Sequence, residues 1–155
     1  MEAYADYFGI EAPEEKEKWR IAELINDADW EKYPEEHPKV IVEWLKEQNS
    51  PEDLVNAVEA YGFNFGVEAK TLMAKVLRAV DELIGLIVAT ALVKGRNLDN
   101  VTFQSILKKW KDKRFVAGVN REDIERGAQE INVPLEKHIE IVLEGMKRIE
   151  RELGL

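Results

Sequence analysis

One stretch constrains this chain more than any other. Residues 69–93, "AKTLMAKVLRAVDELIGLIVATALV", contain no proline, and Gly85 is their single glycine. Apolar residues recur at helical spacing and crowd most of the circumference. A helix this long and this apolar must be buried, so the rest of the chain has to pack around it. Its most apolar part, residues 83–93, is about half the length that crosses a bilayer. The expectation is a water-soluble protein with a central helix and no membrane partner.

The flanking sequence continues the helical pattern, and strand signals do not recur. A short helix is expected over 2–8, closed by Gly9. Pro13 suits the first turn of a second helix, with Glu14 and Glu15 at its positive end. That helix should run to about Asp27 and bury Trp19, Ala22 and Ile25. Pro38 opens a third, with Val40, Ile41, Trp44 and Leu45 facing inward. In "SPED" (50–53), Ser50 is the expected cap, Pro51 the first helical residue and Asp53 the closing acid of a capping box. That helix should end near Tyr61–Gly62, and "GFNFGV" (62–67) reads as a loop. After a turn at 94–100, a basic helix is expected over 102–114. Asn120 should cap "REDIERGAQEI", Asn132 and Pro134 should break it, and a last helix should run to about Leu153, closed by Gly154. The fold class is all-α: about seven helices around a long central one, in one domain over residues 1–155.

Composition narrows the function. The 155 residues carry 31 acidic and 22 basic side chains, a formal charge of −9, which argues against nonspecific nucleic-acid binding. There is no cysteine, hence no disulfide, thiolate zinc site or thiol nucleophile. That absence, with abundant Glu, Lys and Ile, fits a thermophilic or engineered origin. The polar start "MEAYADYFGI" does not read as a secretory signal, so a cytoplasmic location is expected.

A few side chains stand out as candidates for chemistry. Asp81 shares a face of the central helix with Leu77, Ile84 and Val88, whereas Lys75, Arg78 and Glu82 mark the polar face. A carboxylate pointing inward must be paired, hydrogen-bonded, protonated or on a metal. Asn26 follows Ala22 by one turn and can face inward, and Asp27 sits at a helix C-terminus, against the dipole. A bland reading makes the pair the start of a turn. His37 precedes Pro38. His138 lies among Ile139, Ile141 and Val142 and reads as structural or as a surface residue. Lys108, Lys109, Lys111, Lys113 and Arg114 could hold a phosphate, although a charge run on a helix is more often a solvated face. Trp110 would anchor that face to the core.

Four segments, "EKWRIAELINDADWEKYPEEHP", "VEAYGFNFG", "AVDELIGLIVATALV" and "LKKWKDKRFVAGVNREDIERGA", together resemble the HD-domain superfamily of metal-dependent phosphohydrolases. The resemblance covers most of the chain and implies an all-α fold. The family's metal site takes a His from an early helix, an adjacent His-Asp pair and a later Asp; some members add two further His. By this resemblance the pair falls on Asn26 and Asp27, the later Asp on Asp81, and the two extra positions on His37 and Tyr61. The early His has no counterpart, and the first helix looks truncated. Ile84 stands where related sequences often carry a small polar residue.

The resemblance therefore implies a phosphohydrolase frame with a depleted site. Asp27, Asp81 and His37 remain as metal ligands, weak or lost, and no tightly bound cofactor is expected. If the family site survives, the ion would be divalent: Mn, Mg, Zn or Ni. Lys108, Lys111 and Arg114 would then hold the substrate phosphate. The expected function is a catalytically impaired, redesigned scaffold that binds a protein or ligand. Tyr4, Tyr7, Phe8, Trp30 and Tyr33 are the candidate partner-binding aromatics. The alternatives are an active phosphohydrolase with a variant site and a ligand-binding domain using the emptied cleft.

Overall fold

A computed structural model describes residues 1–155. It is all-helical, with eight α-helices and no strand. They are α1 (Glu2–Tyr7), α2 (Pro13–Ile25), α3 (Lys39–Glu47), α4 (Glu52–Glu59), α5 (Leu72–Val93), α6 (Phe103–Trp110), α7 (Arg121–Glu130) and α8 (Leu135–Arg148). Single 3-10 turns occur at Phe63–Phe65 and Leu98–Asn100. No helix is long and apolar enough to cross a membrane. The chain divides into two compact units, Met1–Arg78 and Ala79–Leu155, with the division falling inside α5.

In the first unit α2 packs on α1 and α4, and α3 packs on α4. Pro13 is the first residue of α2, as its missing N–H allows, with Glu14 and Glu15 behind it. Trp19 and Ala22 are core residues, while Ile25 is only half-buried. On α3 the inner face is Ile41, Val42 and Leu45; Trp44, expected inside, is half-exposed. Val42 sits beside Ile41 on the helical wheel, and the i, i+1, i+4 set leaves Trp44 pointing outward. The cap expected from Ser50 is absent: Pro51 precedes the first residue of α4 and offers no side-chain cap, while Asp53 Oδ1 accepts from Leu54 N at 3.0 Å in the first turn. The other oxygen of Asp53, Oδ2, pairs with Lys18 of α2 at 2.5 Å. The buried Asn56 fastens the segment before α5, donating to Glu68 O and accepting from Lys70 N, both at 2.9 Å. Arg78, assigned to a polar face from the sequence, is buried, with its guanidinium over the Phe63 ring.

The second unit centres on α8, which meets α6, α7 and the Leu98–Asn100 turn. Thr102 and Ser105 form a reciprocal capping box on α6. This helix ends at Trp110 rather than continuing to 114. Asp112 Oδ1 accepts from Arg114 N, and this local turn competes with further helix. Ile106, not the half-buried Trp110, is the fully buried residue of α6. Asn120 caps α7, accepting from the amides of Glu122 and Asp123. The helix stops where Asn132 adopts φ 55°, and α8 follows Pro134. The last helix ends at Arg148, short of the expected Leu153, with turns beyond it.

One contact limits how α7 approaches α5. A Cβ on Gly127 would lie 2.6 Å from Ala79 Cα and 2.8 Å from Ala79 Cβ. Beside it the fully buried His138 bonds through Nε2 to Ala79 O at 3.0 Å. The carbonyl can only accept, so Nε2 carries the hydrogen. His138 is thus a core residue tying α8 to α5, in keeping with its structural reading.

Candidate functional site

The segment joining α2 to α3 is built from turns, and these turns gather the polar side chains. Trp30 N bonds Asp27 O, Tyr33 N bonds Asp29 O, and His37 N bonds Tyr33 O. The peptide from His37 to Pro38 is cis. Pro38 offers α3 no side-chain cap. Asp29, twelve residues before Ile41, supplies one: its Oδ2 accepts from Ile41 N at 3.0 Å, in the first turn of the helix. A carboxylate is favoured there by the orphan amides and by the helix dipole.

The other oxygen of Asp29 begins a chain of hydrogen bonds. Asp29 Oδ1 meets His37 Nδ1 at 2.5 Å. His37 Nε2 bonds the Tyr61 hydroxyl. That hydroxyl donates to Asp27 Oδ1 at 3.0 Å, and Asp27 Oδ1 lies 3.6 Å from Nε2. The inner members are closed off: the side chains of His37 and Asp29 are 2% and 4% exposed, against 62% for Asp27. Burial opposes the charge on Asp29, but bonds from His37 and the Ile41 amide, together with the imidazole charge, hold its carboxyl below the usual range. An ionised Asp29 can only accept, so Nδ1 carries a hydrogen. Trp30 and Phe65 stand edge-on to the His37 ring, and Phe65 also packs on Tyr61.

Three of the positions singled out from the sequence, Asp27, His37 and Tyr61, therefore converge. Asn26 is buried at the C-terminal end of α2. Asp81 belongs to the second unit and is half-buried, as are Ile84 and Val88, whereas Leu77 is core. Lys108 lies on α6, whereas Lys111 and Arg114 follow its end; all three are exposed, and the Arg114 side chain is 97% accessible. Among the aromatics, Tyr4 is a correction. It is 1% exposed, stacked on Phe8 and edge-on to Tyr7, so it belongs to the core and has no surface for a partner. Phe8 and Tyr33 are half-buried, and Tyr7 and Trp30 are exposed.

Asp29 escaped the sequence reading. Its signal was weak: a second acid two residues after Asp27, in a turn with no regular period. Its removal has a defined consequence. Asp29→Ala leaves the buried Ile41 amide and His37 Nδ1 without their acceptor and should lower unfolding free energy by about 2 kcal/mol. Asp29→Asn keeps one acceptor and should lose less. Urea denaturation of the three proteins checks the order; equal stability of Asp29→Ala and the parent would remove Asp29 from its capping role.

No family model, curated protein or solved structure matches the chain. The functional argument therefore rests on the residues themselves. The donor set fits a divalent catalytic ion poorly. Asn26 presents a neutral amide and no imidazole. His37 has one nitrogen on Asp29 and the other on Tyr61, and Asp27 accepts from Tyr61.

Proposed function

We propose that this protein is an HD-domain-like phosphohydrolase frame that binds rather than hydrolyses. One observation carries the reading. The side chains at the positions a metal would use are bonded to one another: His37 through Nε2 to Tyr61, and Tyr61 to Asp27. Phosphoester hydrolysis of this type needs an ion that polarises the phosphoryl oxygen and lowers the pKa of a bound water. Asn26 offers a neutral amide oxygen where a divalent transition ion favours imidazole. Several ligand positions altered together within one frame are accounted for by redesign of a stable scaffold. Binding is the function left to such a frame, and the exposed rings of Tyr7 and Trp30, 46% and 54% accessible, are suitable anchors for a protein partner.

The test is turnover. The untagged protein is assayed against p-nitrophenyl phosphate and a nucleotide panel with Mn²⁺, Mg²⁺, Zn²⁺ and Ni²⁺ in turn. Rates at the level of the metal alone are expected. Metal-dependent turnover that disappears in Asp27→Asn or Asp81→Asn would instead establish the variant phosphohydrolase, with Lys108, Lys111 and Arg114 as candidate phosphate holders.

A further inference from the structure

The chain carries its acid excess unevenly. Met1–Arg78 hold 18 acidic and 9 basic side chains, whereas Ala79–Leu155 hold 13 of each. Within the second unit, residues 108–114 gather Lys108, Lys109, Lys111, Lys113 and Arg114 against one acid, Asp112. We propose that this cationic turn at the end of α6 docks a short acidic polypeptide segment of a partner protein, one that presents several Asp or Glu carboxylates in succession. No residue of the Asp27–His37–Tyr61 cluster takes part, and neither do the exposed rings of Tyr7 and Trp30.

The charge of this turn is not neutralised within the chain. Lys108, Lys111, Lys113 and Arg114 are exposed, and the three lysines form no ion pair. Asp112 Oδ1 lies 3.9 Å from Arg114 Nε, and Lys109 rests over the Phe115 ring, 4.3 Å from its centroid. The helix dipole favours cations in a last turn, which accounts for Lys108 and Lys109. It does not account for Lys113 and Arg114, which follow the helix end. The turn is also held in shape. Lys111 keeps helical backbone angles and so stands one turn from Lys108 on the same face. Phe115 N bonds Asp112 O at 3.0 Å. The Arg121 guanidinium gathers the carbonyls that follow: Nη1 donates to Val116 O at 2.8 Å and to Val119 O at 2.6 Å, and Nη2 donates to Phe115 O. Val116, a β-branched residue, is thereby kept at φ 49°, in the left-handed region that such residues rarely enter. A surface ordered before binding loses less entropy when a partner docks.

Net charge selects the size of the partner. Screening confines the field of an exposed patch to about 8 Å at physiological salt, so a short acidic segment lying along residues 108–114 meets mainly cationic side chains. A nucleic-acid duplex, an anionic bilayer or a second whole copy extends beyond that distance and meets a chain of net charge −9.

The probe is fluorescein-labelled octaglutamate, titrated with the full chain at low salt in EDTA and read by anisotropy, with labelled octaglutamine as the blank. Saturable binding is expected, weakened by about tenfold or more on raising the salt to about 0.3 M. Lys108→Glu/Lys111→Glu/Lys113→Glu should weaken it by about tenfold or more, whereas Lys108→Arg/Lys111→Arg/Lys113→Arg should bind as the parent does. Lys39→Glu/Lys70→Glu/Lys94→Glu makes the same change in net charge at other exposed lysines and should shift binding by less than about twofold. Asp112→Asn removes the one carboxylate of the turn, keeps an acceptor for Arg114 N and should tighten binding by about twofold. Circular dichroism confirms that each variant is folded. Absence of saturable binding, equal losses in the two glutamate triples, or tighter binding to oligo-dT or to phosphatidylserine vesicles overturns the proposal. So does displacement of the peptide by inorganic phosphate beyond that by chloride at equal ionic strength, which would make the lysines a phosphate site. Self-association of the chain alone at low salt, abolished by the first triple, would put a second copy in place of the acidic segment and overturns it too. Metal-dependent phosphatase activity bears on the binding reading alone, because the peptide is titrated without metal.

Discussion

Gly127→Ala is expected to destabilise the protein by about 2 kcal/mol, although the exchange lies inside a helix where alanine is intrinsically favoured by about 1 kcal/mol. The sign follows from what the new methyl would meet. It would lie 2.6 Å from Ala79 Cα, a backbone atom that no rotamer change can move aside. The helices must separate, and the adjacent bond from His138 Nε2 to Ala79 O stretches with them. Overpacking of this kind costs about 3 kcal/mol, which exceeds the propensity gain. Gly127→Leu adds further atoms at the same place and should cost on the order of 4 kcal/mol or more. Thermal unfolding checks both, with a fall on the order of 5 °C for alanine. Ala79→Gly in the alanine background should restore part of the loss, since it removes Ala79 Cβ but not Cα. A midpoint that rises in Gly127→Ala would contradict the close contact.

The second large effect is acid lability centred on His138. Burial pushes its imidazole down to about 4 from an ordinary 6.5, and the bond to Ala79 O offsets this only in part. The folded protein thus holds His138 neutral where the unfolded chain would protonate it. Stability from this group is fully present above pH 6.5 and declines as the pH falls through the window from 6.5 to about 4. The whole window is worth about 3 kcal/mol. The acidic side chains titrate in its lower part, so a variant isolates the His138 share. His138→Met keeps most of the volume and removes the titration. Urea unfolding of both proteins between pH 7.5 and 4.5 should show the parent losing more stability than His138→Met, by about 2 to 3 kcal/mol. Parallel curves would contradict the account.

Much of this architecture was legible where a single residue determines a local outcome. Pro13 starts α2 and Asn120 caps α7 because one missing donor and one side-chain acceptor act within a turn of their own position. The apolar run in 69–93 yields α5 with little ambiguity. Errors arose where two readings were locally equivalent. Trp44 and Val42 both lie near the inner face of α3, and burial of the smaller residue is a tertiary result. Ser50 has the right chemistry for a cap, yet Pro51 holds that place. Arg78 looked solvated until Phe63, fifteen residues earlier, covered its guanidinium.

The site was legible in part for the same reason. Asp27, His37 and Tyr61 were singled out through a family resemblance, and the structure brings them together. Asp29 was not. It serves α3 from twelve residues away and His37 from eight, distances at which no helical or turn period reports a contact. Tyr4 stands among the candidate partner-binding rings because an N-terminal aromatic cluster reads alike whether it covers a core or offers a patch. Its stacking on Phe8 shows that this ring is core.

In the proposed function, Asp27, His37 and Tyr61 bond one another and hold no divalent ion. Thermal unfolding of the untagged protein in EDTA and in excess Mn²⁺, Ni²⁺ or Zn²⁺ tests it most directly. An ion bound tightly to the folded state raises stability by about 3 to 4 kcal/mol at a hundred to a thousand times its dissociation constant. The account predicts coincident transitions in EDTA and in each divalent metal. A rise of that size with any of the three, reversed by EDTA and lost in Asp27→Asn, would contradict it.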